Sequence, residues 1–328
     1  MGFRRCRVLL VVFLLLQGGT ASGGEGGGDP WRGSVLTWRN VGTALSLRKD
    51  AELTYNPYYA MELDLHPRWW FGSIVSVDAG ASLSRELTDS DVTTQRGEIE
   101  WGDVSLGVSA SRFYVVPVAR LGLSAGLSVQ LPTSKVSKAR TLLVALKPSV
   151  RVERQFDVLD GAWVGYGFSA TRFFNESTTS EREAPLIPDC LEAGSGCDAY
   201  LGMGVRNPEW RLAHGVDLGV DFARWLGISA SASVLVDMLY PMTIDEQVSY
   251  EPQEGTERRY VMAYGLEAHT RPLRSLGFEL GVSTVNPQLR PDSTPEKPFF
   301  NRYTLVYLDV QFHFGSLVSQ LTSKEVEQ

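Results

Sequence analysis

The residues Arg120-Leu-Gly-Leu-Ser-Ala-Gly-Leu-Ser-Val-Gln-Leu131 alternate without interruption between apolar and small polar side chains. A period of two places successive side chains on opposite faces of a β-strand, whereas a helix spaces its apolar residues three or four positions apart. The stretch therefore predicts a strand with one apolar and one polar face. These faces are Leu121, Leu123, Ala125, Leu127, Val129 and Leu131 against Gly122, Ser124, Gly126, Ser128 and Gln130.

The same alternation recurs along the chain and predicts ten further strands. They are 58–67, 75–84, 103–109, 141–154, 162–173, 215–222, 228–236, 264–269, 276–285 and 303–314. Short connections, after residues 67, 114, 156, 225 and 272, alternate with longer polar ones, after residues 87, 131, 174, 240 and 287. Membrane barrels alternate short turns and long loops in this way, and their strand number is usually even. The stretch Val35 to Arg48 supplies a twelfth strand, and the prediction is an all-β, antiparallel up-and-down transmembrane barrel.

Bulk composition alone would suit a soluble all-β protein. Hydrophobic residues make up 43% of the chain, and the mean hydropathy is −0.09. No apolar run reaches the roughly eighteen residues that a membrane helix needs. A two-sheet soluble sandwich would also alternate, with one face in water. The polar faces here consist mostly of Gly and Ser with few Lys, which favours an enclosed lumen over a solvated surface.

The N-terminus has the order of a secretory signal peptide. Arg4, Arg5 and Arg7 precede the apolar core Val8 to Leu16, and small residues follow. We predict a signal peptide at 1–22, a flexible glycine-rich leader at 23–33, the barrel at 34–315 and a periplasmic C-terminal tail at 316–328. Loss of three arginines changes the net charge from −7 to −10 and argues against a nucleic-acid partner.

Export also bears on the cysteines. Once Cys6 is removed with the signal peptide, Cys190 and Cys197 remain, in the longest irregular segment of the chain. Two cysteines close in sequence in an oxidising compartment favour one loop disulfide, with a metal pair as the alternative.

The last predicted strand carries its own signal. Thr304, Val306, Leu308, Val310, Phe312 and Phe314 share one face. This pattern resembles the terminal strand of Gram-negative outer-membrane β-barrel proteins, in which Phe312 and Phe314 would form the assembly signal, although here fourteen residues follow it. The resemblance implies an integral outer-membrane location with extracellular loops and both termini periplasmic. The implied partners are outer-membrane lipid and the barrel-assembly machinery.

Aromatic residues near the predicted strand ends suit two interfacial bands. We expect Trp69, Trp70, Trp163 and Trp225 at one membrane level, and Tyr58, Tyr59, Phe173, Trp210, Tyr240 and Tyr260 at the other.

If the apolar face meets lipid, the opposite phase lines the lumen. The predicted lumen-lining residues, which are the candidates for selectivity, are Glu62, Asp64, Asp78, Asp103, Arg120, Lys147, Arg151, Asp217, Asp221, Asp237, Glu267, Glu279 and Asp309. With Glu153 and Arg271, eleven acids face four bases. Rings of carboxylates select cations, so we expect a narrow channel or small-solute transporter for small cationic or neutral solutes.

Two other classes of function are open. Charges that pair across the lumen would only solvate it, as in a non-conducting structural or accessory barrel of an envelope, secretion or motility complex. An outer-membrane lipid hydrolase is the third class, because residues 122–126 match G-x-S-x-G. That match falls in mid-strand rather than at a nucleophile elbow, and the single lipid-facing histidine, His214, has no Ser or Asn beside it. We expect no catalysis, no cofactor and no metal, since the inward His66, His269 and His313 lack metal-ligand spacing.

Overall fold

The computed structural model describes residues 29–47, 58–88, 97–180, 206–241, 257–287, 294–295, 297 and 299–316. These residues form one antiparallel sheet that closes on itself. Its strands are β1 (Val35–Thr43), β2 (Tyr59–His66), β3 (Arg68–Phe71), β4 (Val75–Glu86), β5 (Ile99–Trp101), β6 (Val104–Val116), β7 (Leu121–Leu131), β8 (Leu142–Phe156), β9 (Gly161–Asn175), β10 (Pro208–Ala223), β11 (Leu226–Leu239), β12 (Arg258–Leu273), β13 (Leu276–Pro287) and β14 (Thr304–His313). A 3-10 turn (Ala44–Leu47) follows β1, and a short helix α1 (Lys135–Ala139) lies between β7 and β8.

The fourteen strands make twelve wall positions, as the sequence predicts. β2 and β3 both pair with one edge of β4 and together make one wall position. β5 and β6 both pair with the other edge of β4 and make the next one. The sheet runs from β2 through β1, β14 and the intervening strands to β4, and the β2–β4 pairing closes it. β1 is Val35–Thr43, so the stretch with the least regular alternation does form the first strand.

One predicted turn is wrong. The prediction ended a strand at residue 67, but the wall continues to Phe71 with its register to β4 unchanged. Pro67 lacks an N–H donor, and its carbonyl still accepts a hydrogen bond from the Ala79 amide at 3.0 Å. A proline therefore removes one bond from this ladder without ending it, and the turn lies at residues 72–74.

All short connections lie at one end of the barrel and all long ones at the other. Two to four residues join β3 to β4, β6 to β7, β8 to β9, β10 to β11 and β12 to β13. Ser134 caps α1 by accepting a hydrogen bond from the Ser137 amide at 3.1 Å. No helix in the described part of the chain is long and apolar enough to cross a membrane.

The two faces of the wall differ in chemistry as the alternation requires. On the outside, aliphatic side chains such as Leu63, Val77 and Leu218 are about half exposed, row after row. Their neighbours in sequence point inward and are charged or small. A wall with no free edge and an apolar outer surface satisfies its backbone internally and can sit in hydrocarbon.

The predicted aromatic bands need four corrections, and several predictions lie beyond the described residues. Tyr58 is buried with the inward residues Val41, Ala60 and Tyr307. Trp70 has the inward phase of β3, since its neighbours Trp69 and Phe71 are the exposed ones. Trp163 and Phe173 have the inward phase of β9, because Val164, Phe168 and Phe174 are the exposed ones. Phe173 packs instead against the inward residues Leu142 and Ala145. The predicted signal peptide, both cysteines of the predicted disulfide and nearly all of the C-terminal tail fall in segments that the structure does not describe.

Candidate functional site: the barrel interior

Charged side chains inside the barrel meet across intervening strands. Arg151 on β8 donates to Asp217 on β10 at 2.7 and 2.6 Å, and also to Glu153 at 3.0 Å. β9 lies between the two strands and places Gly165 at the crossing point. A Cβ at Gly165 would lie 2.8 Å from Arg151 Cζ and 2.9 Å from Asp217 Oδ1. The missing side chain therefore makes this bridge possible.

The most buried charge in the interior is an arginine–carboxylate pair on the first and last strands. Arg39 donates through Nε and Nη2 to both carboxylate oxygens of Asp309, at 2.8 and 2.7 Å. Asp309 is only 1% exposed. The guanidinium also lies 4.4 Å from the ring centroid of Tyr307. A bidentate pair that also stacks on an aromatic ring is the geometry that arginine favours.

Tyr307 links this pair to two glutamates. Its hydroxyl lies 3.1 Å from Glu267 Oε2 and 3.2 Å from Glu279 Oε1. The ring passes over Gly281 of β13, where a side chain would collide with it. Ser229 donates to Glu267 at 2.5 Å, and Gln311 donates to Glu279 at 2.9 Å. Four strands thus contribute to one polar cluster, which we call the Arg39 cluster: Arg39, Glu267, Glu279, Tyr307 and Asp309.

Two further predicted lumen residues are paired. Asp237 accepts two hydrogen bonds from Arg211 at 2.5 and 2.9 Å, and both residues are buried. Asp221 lies 3.0 Å from His269 Nε2, again across a glycine, Gly227 of β11. Pairing of this kind removes charge from the lumen, as the structural alternative to a channel requires.

Six of the predicted lumen residues stand outside these ion pairs. In the part of the chain that the structure describes, no ion pair joins Glu62, Asp64, Asp78, Lys147, Glu267 or Glu279. Glu62 lies directly opposite Arg39 in the β1–β2 ladder, with Asp64 opposite Thr37. Five carboxylates against one lysine leave this set acidic.

Two predicted residues have other places. Asp103 lies beyond the end of β5, where it accepts hydrogen bonds from Gln130 Nε2 at 2.6 Å, from the Ser134 amide at 2.8 Å and from the Ser137 hydroxyl. It therefore anchors α1. Arg120 lies in the β6–β7 turn with a φ of 51°, and its side chain is 77% exposed. Both were assigned to the lumen by extending a strand phase past the strand end.

Sequence reasoning missed two arginines that matter. Arg39 lies in the strand with the poorest alternation, where Asn40 and Gly42 point outward and Val41 points inward. Arg211 lies four residues before Gly215, the first residue of the predicted strand. Extending the phase of that strand backwards would have found Arg211, because β10 begins at Pro208. With both arginines counted, the acidic excess in the lumen is smaller than the sequence suggested.

The wall opposite the Arg39 cluster includes one row of small residues. β8 is six wall positions from β14 in either direction around the barrel, so the two strands lie on opposite sides. There Ser149, Ser169 and Gly126 follow one cross-strand row. No atom of the described residues lies within 4 Å of the position that a Cβ at Gly167 would take. As far as the described residues go, the interior therefore has open space beside β9.

The features that suggested a hydrolase take ordinary structural places. Residues 122–126 lie wholly within β7, and the Ser124 hydroxyl accepts a hydrogen bond from the Arg112 amide at 2.9 Å. His214 lies opposite Phe168 and Val234 on the outer surface. Among the described residues, no three His, Cys, Asp or Glu side chains are grouped to hold a metal ion.

A closed twelve-stranded antiparallel wall with an apolar outside and a polar inside defines a transmembrane β-barrel of the bacterial outer membrane. The protein is integral to that membrane. Its sequence matches no protein-family model and no curated protein.

Several solved structures share the architecture. The KdgM porin in complex with disordered oligogalacturonate is 9% identical, with a TM-score of 0.44 over 85% of this chain and 98% of the porin. LpxR from Salmonella typhimurium is 11% identical, with a TM-score of 0.40 over 85% and 99% of the two chains. The outer membrane protein opdK from Pseudomonas aeruginosa is 9% identical, with a TM-score of 0.31 over 85% and 96%. At these TM-scores the likenesses carry no argument about function.

Proposed function

We propose that this barrel is a narrow channel for small solutes that prefers cations. The observation that carries the proposal is the set of five inward carboxylates that form no ion pair with any described residue: Glu62, Asp64, Asp78, Glu267 and Glu279. Carboxylates that line a water-filled passage through a low-dielectric wall concentrate cations inside it. The open space beside Gly167 supports a passage for water and small solutes.

The arrangement of charge around the wall supports the same role. Glu62 and the Arg39 cluster lie on β1, β2 and β12–β14, whereas Lys147 and Arg151 lie on β8 on the opposite side. Arg151 is itself bonded to Asp217 and Glu153. A permeating cation would therefore pass along the acidic side, with Lys147, which forms no ion pair among the described residues, across the lumen.

The proposed orientation places the short turns in the periplasm and the long loops outside the cell. This follows the usual order of bacterial barrels. Both ends of the wall, Val35 and His313, lie at the end of the short turns and pair with each other. The proposed role requires no catalysis, which agrees with the mid-strand position of Ser124.

Planar-bilayer recording of the refolded protein in a potassium chloride gradient tests the proposal. We expect the barrel to conduct ions, and we expect the sign of the reversal potential to show that potassium permeates more readily than chloride. Replacing Glu62, Glu267 and Glu279 together by Gln keeps side-chain shape and should move the reversal potential towards zero. Asp157→Asn, in an exposed turn, is the matched control and should leave it unchanged. Absence of conductance or an anion preference would refute the channel.

A further inference from the structure

Trp163 is an inward-facing tryptophan that the wall is shaped to receive. Its ring lies over Gly219 of the neighbouring strand. A Cβ at Gly219 would fall 2.6 Å from Trp163 Cε2 and closer still to Cζ2 and Cη2. The absence of a side chain at 219 thus lets the indole lie against the wall, which turns its other face towards the barrel axis. The ring is partly exposed, and it makes no hydrogen bond, ring contact or cation–π contact with any described residue.

Carboxylates border this ring. Asp217 and Asp221 are the next inward positions of β10 on either side of Gly219, each about 7 Å away along the strand. Their side chains are 26% and 34% exposed, so both can be reached from the lumen. Arg151 neutralises Asp217 at 2.6 Å, whereas Asp221 contacts His269 and interacts electrostatically with Arg271 without a direct ion pair to it among the described residues.

A third carboxylate lies along the cross-strand row through the ring. Gly219 is opposite Trp163 on one side and Ser229 on the other, and Ser229 is opposite Glu267. Ser229 donates to Glu267 at 2.5 Å. An indole that covers Gly219, a hydroxyl and a carboxylate therefore follow one another across four strands.

We propose that Trp163, Asp221 and Glu267 form a subsite inside the lumen for organic ammonium ions. The proposal rests on the proposed channel function and names the class of cation that the channel would hold during passage. An ammonium or methylated ammonium group is attracted electrostatically to the face of an indole, and a neighbouring carboxylate adds to that attraction. The apolar part of the same ion can cover the ring, which a hydrated inorganic cation does not do.

Equilibrium binding tests the subsite without requiring conductance. The refolded barrel in detergent micelles is titrated calorimetrically with benzyltrimethylammonium. We expect saturable binding that Trp163→Ala weakens about fivefold to tenfold and that Trp163→Phe largely restores. Gly219→Val keeps the indole but displaces it, and Asp221→Asn removes a charge, so both should weaken binding. Asp157→Asn should bind as the unmodified protein does, and benzenesulfonate, with the same ring and the opposite charge, should not bind.

Equal affinity of the Trp163→Ala variant and the unmodified protein would overturn the subsite, as would equal binding of benzenesulfonate. Block of potassium current by the same probe separates this proposal from the channel proposal. Binding that depends on Trp163 in a barrel without conductance would refute the channel and support the subsite. Cation-selective current with binding that is independent of Trp163 would refute the subsite and support the channel.

Discussion

The guanidinium of Arg151 and the carboxylate of Asp217 meet at 2.6 and 2.7 Å although a whole strand, β9, separates β8 from β10. Adjacent strands lie about 4.8 Å apart, so residues two strands away need an unobstructed path of nearly 10 Å. Gly165 provides that path. Gly281 under Tyr307 and Gly227 under the Asp221–His269 pair repeat the arrangement. Inward glycines in this barrel therefore permit second-neighbour contacts as well as leaving open space.

Replacing Gly165 by Val should separate Arg151 from Asp217. The new Cβ would fall 2.8 Å from the guanidinium carbon, which the bonds to Asp217 and Glu153 hold at this point. We expect a loss of about 1–3 kcal/mol in the free energy of unfolding, typical of overpacking. Urea titration of the refolded barrel, followed by its heat-modifiable gel mobility, measures it.

The matched control is Gly167→Val, one inward position further along β9. No atom of the described part of the chain lies within 4 Å of a Cβ at Gly167, so this variant should unfold at the urea concentration of the unmodified protein. Equal losses at 165 and 167 would show that strand propensity, rather than obstruction of the Arg151–Asp217 pair, governs both sites.

Arg39→Met should be among the most destabilising single changes in the barrel. Asp309 is only 1% exposed, and each of its carboxylate oxygens accepts a hydrogen bond from the Arg39 guanidinium. The substitution removes both bonds and leaves the carboxylate buried. Removing one partner of a buried pair costs about 3–5 kcal/mol, because the other charge stays behind. The measurement is again the midpoint of urea unfolding.

The double variant Arg39→Met with Asp309→Leu is the decisive comparison. It removes both charges and should lose less stability than Arg39→Met alone. Arg120→Ala, which breaks an exposed contact to Asp157 at 4.0 Å, should have no measurable effect. A double variant that loses the sum of the two single losses would rule out coupling between Arg39 and Asp309.

The wall could be predicted from the sequence because its pattern is local. In each strand, apolar side chains must face lipid and polar ones the lumen, and this alternation can be recognised in about ten consecutive residues. The pairings inside could not be predicted in the same way. Arg151 and Asp217 are 66 residues apart, and their contact depends on the register of three strands, which no single segment encodes.

Errors in the site came from strand ends and from one aromatic residue. Asp103 and Arg120 come directly before β6 and β7, where the alternation no longer fixes the direction of a side chain. Trp163 was placed at the membrane interface because it is near a strand end, although its phase in β9 is inward. That prediction relied on the aromatic type of the side chain, whereas the alternation along β9 gives its direction correctly.

Asp103→Ala tests the corrected place of that carboxylate. The variant loses the acceptor of the Gln130, Ser134 and Ser137 bonds that hold the start of α1. We expect faster amide hydrogen exchange over 134–139, corresponding to about 1–3 kcal/mol of local stability, with the reversal potential unchanged. Asp78→Ala removes an inward carboxylate that has no ion pair with the described residues, and it should leave that exchange as it is. If Asp103→Ala shifts the reversal potential and leaves hydrogen exchange over 134–139 unchanged, Asp103 lines the lumen and does not anchor α1.

Gly167→Trp tests whether the open space beside β9 belongs to the conducting path. An indole at this position would project into space that no described atom occupies within 4 Å of its Cβ, so the barrel should still fold while its passage narrows. Single-channel conductance should therefore fall, and large cations should be excluded before potassium is. Leu218→Trp adds the same side chain to the lipid-facing surface of β10, where Leu218 is exposed, and should leave conductance unchanged. If Gly167→Trp conducts as the unmodified protein does, ions pass elsewhere. If both variants lose conductance equally, the loss reflects folding rather than obstruction.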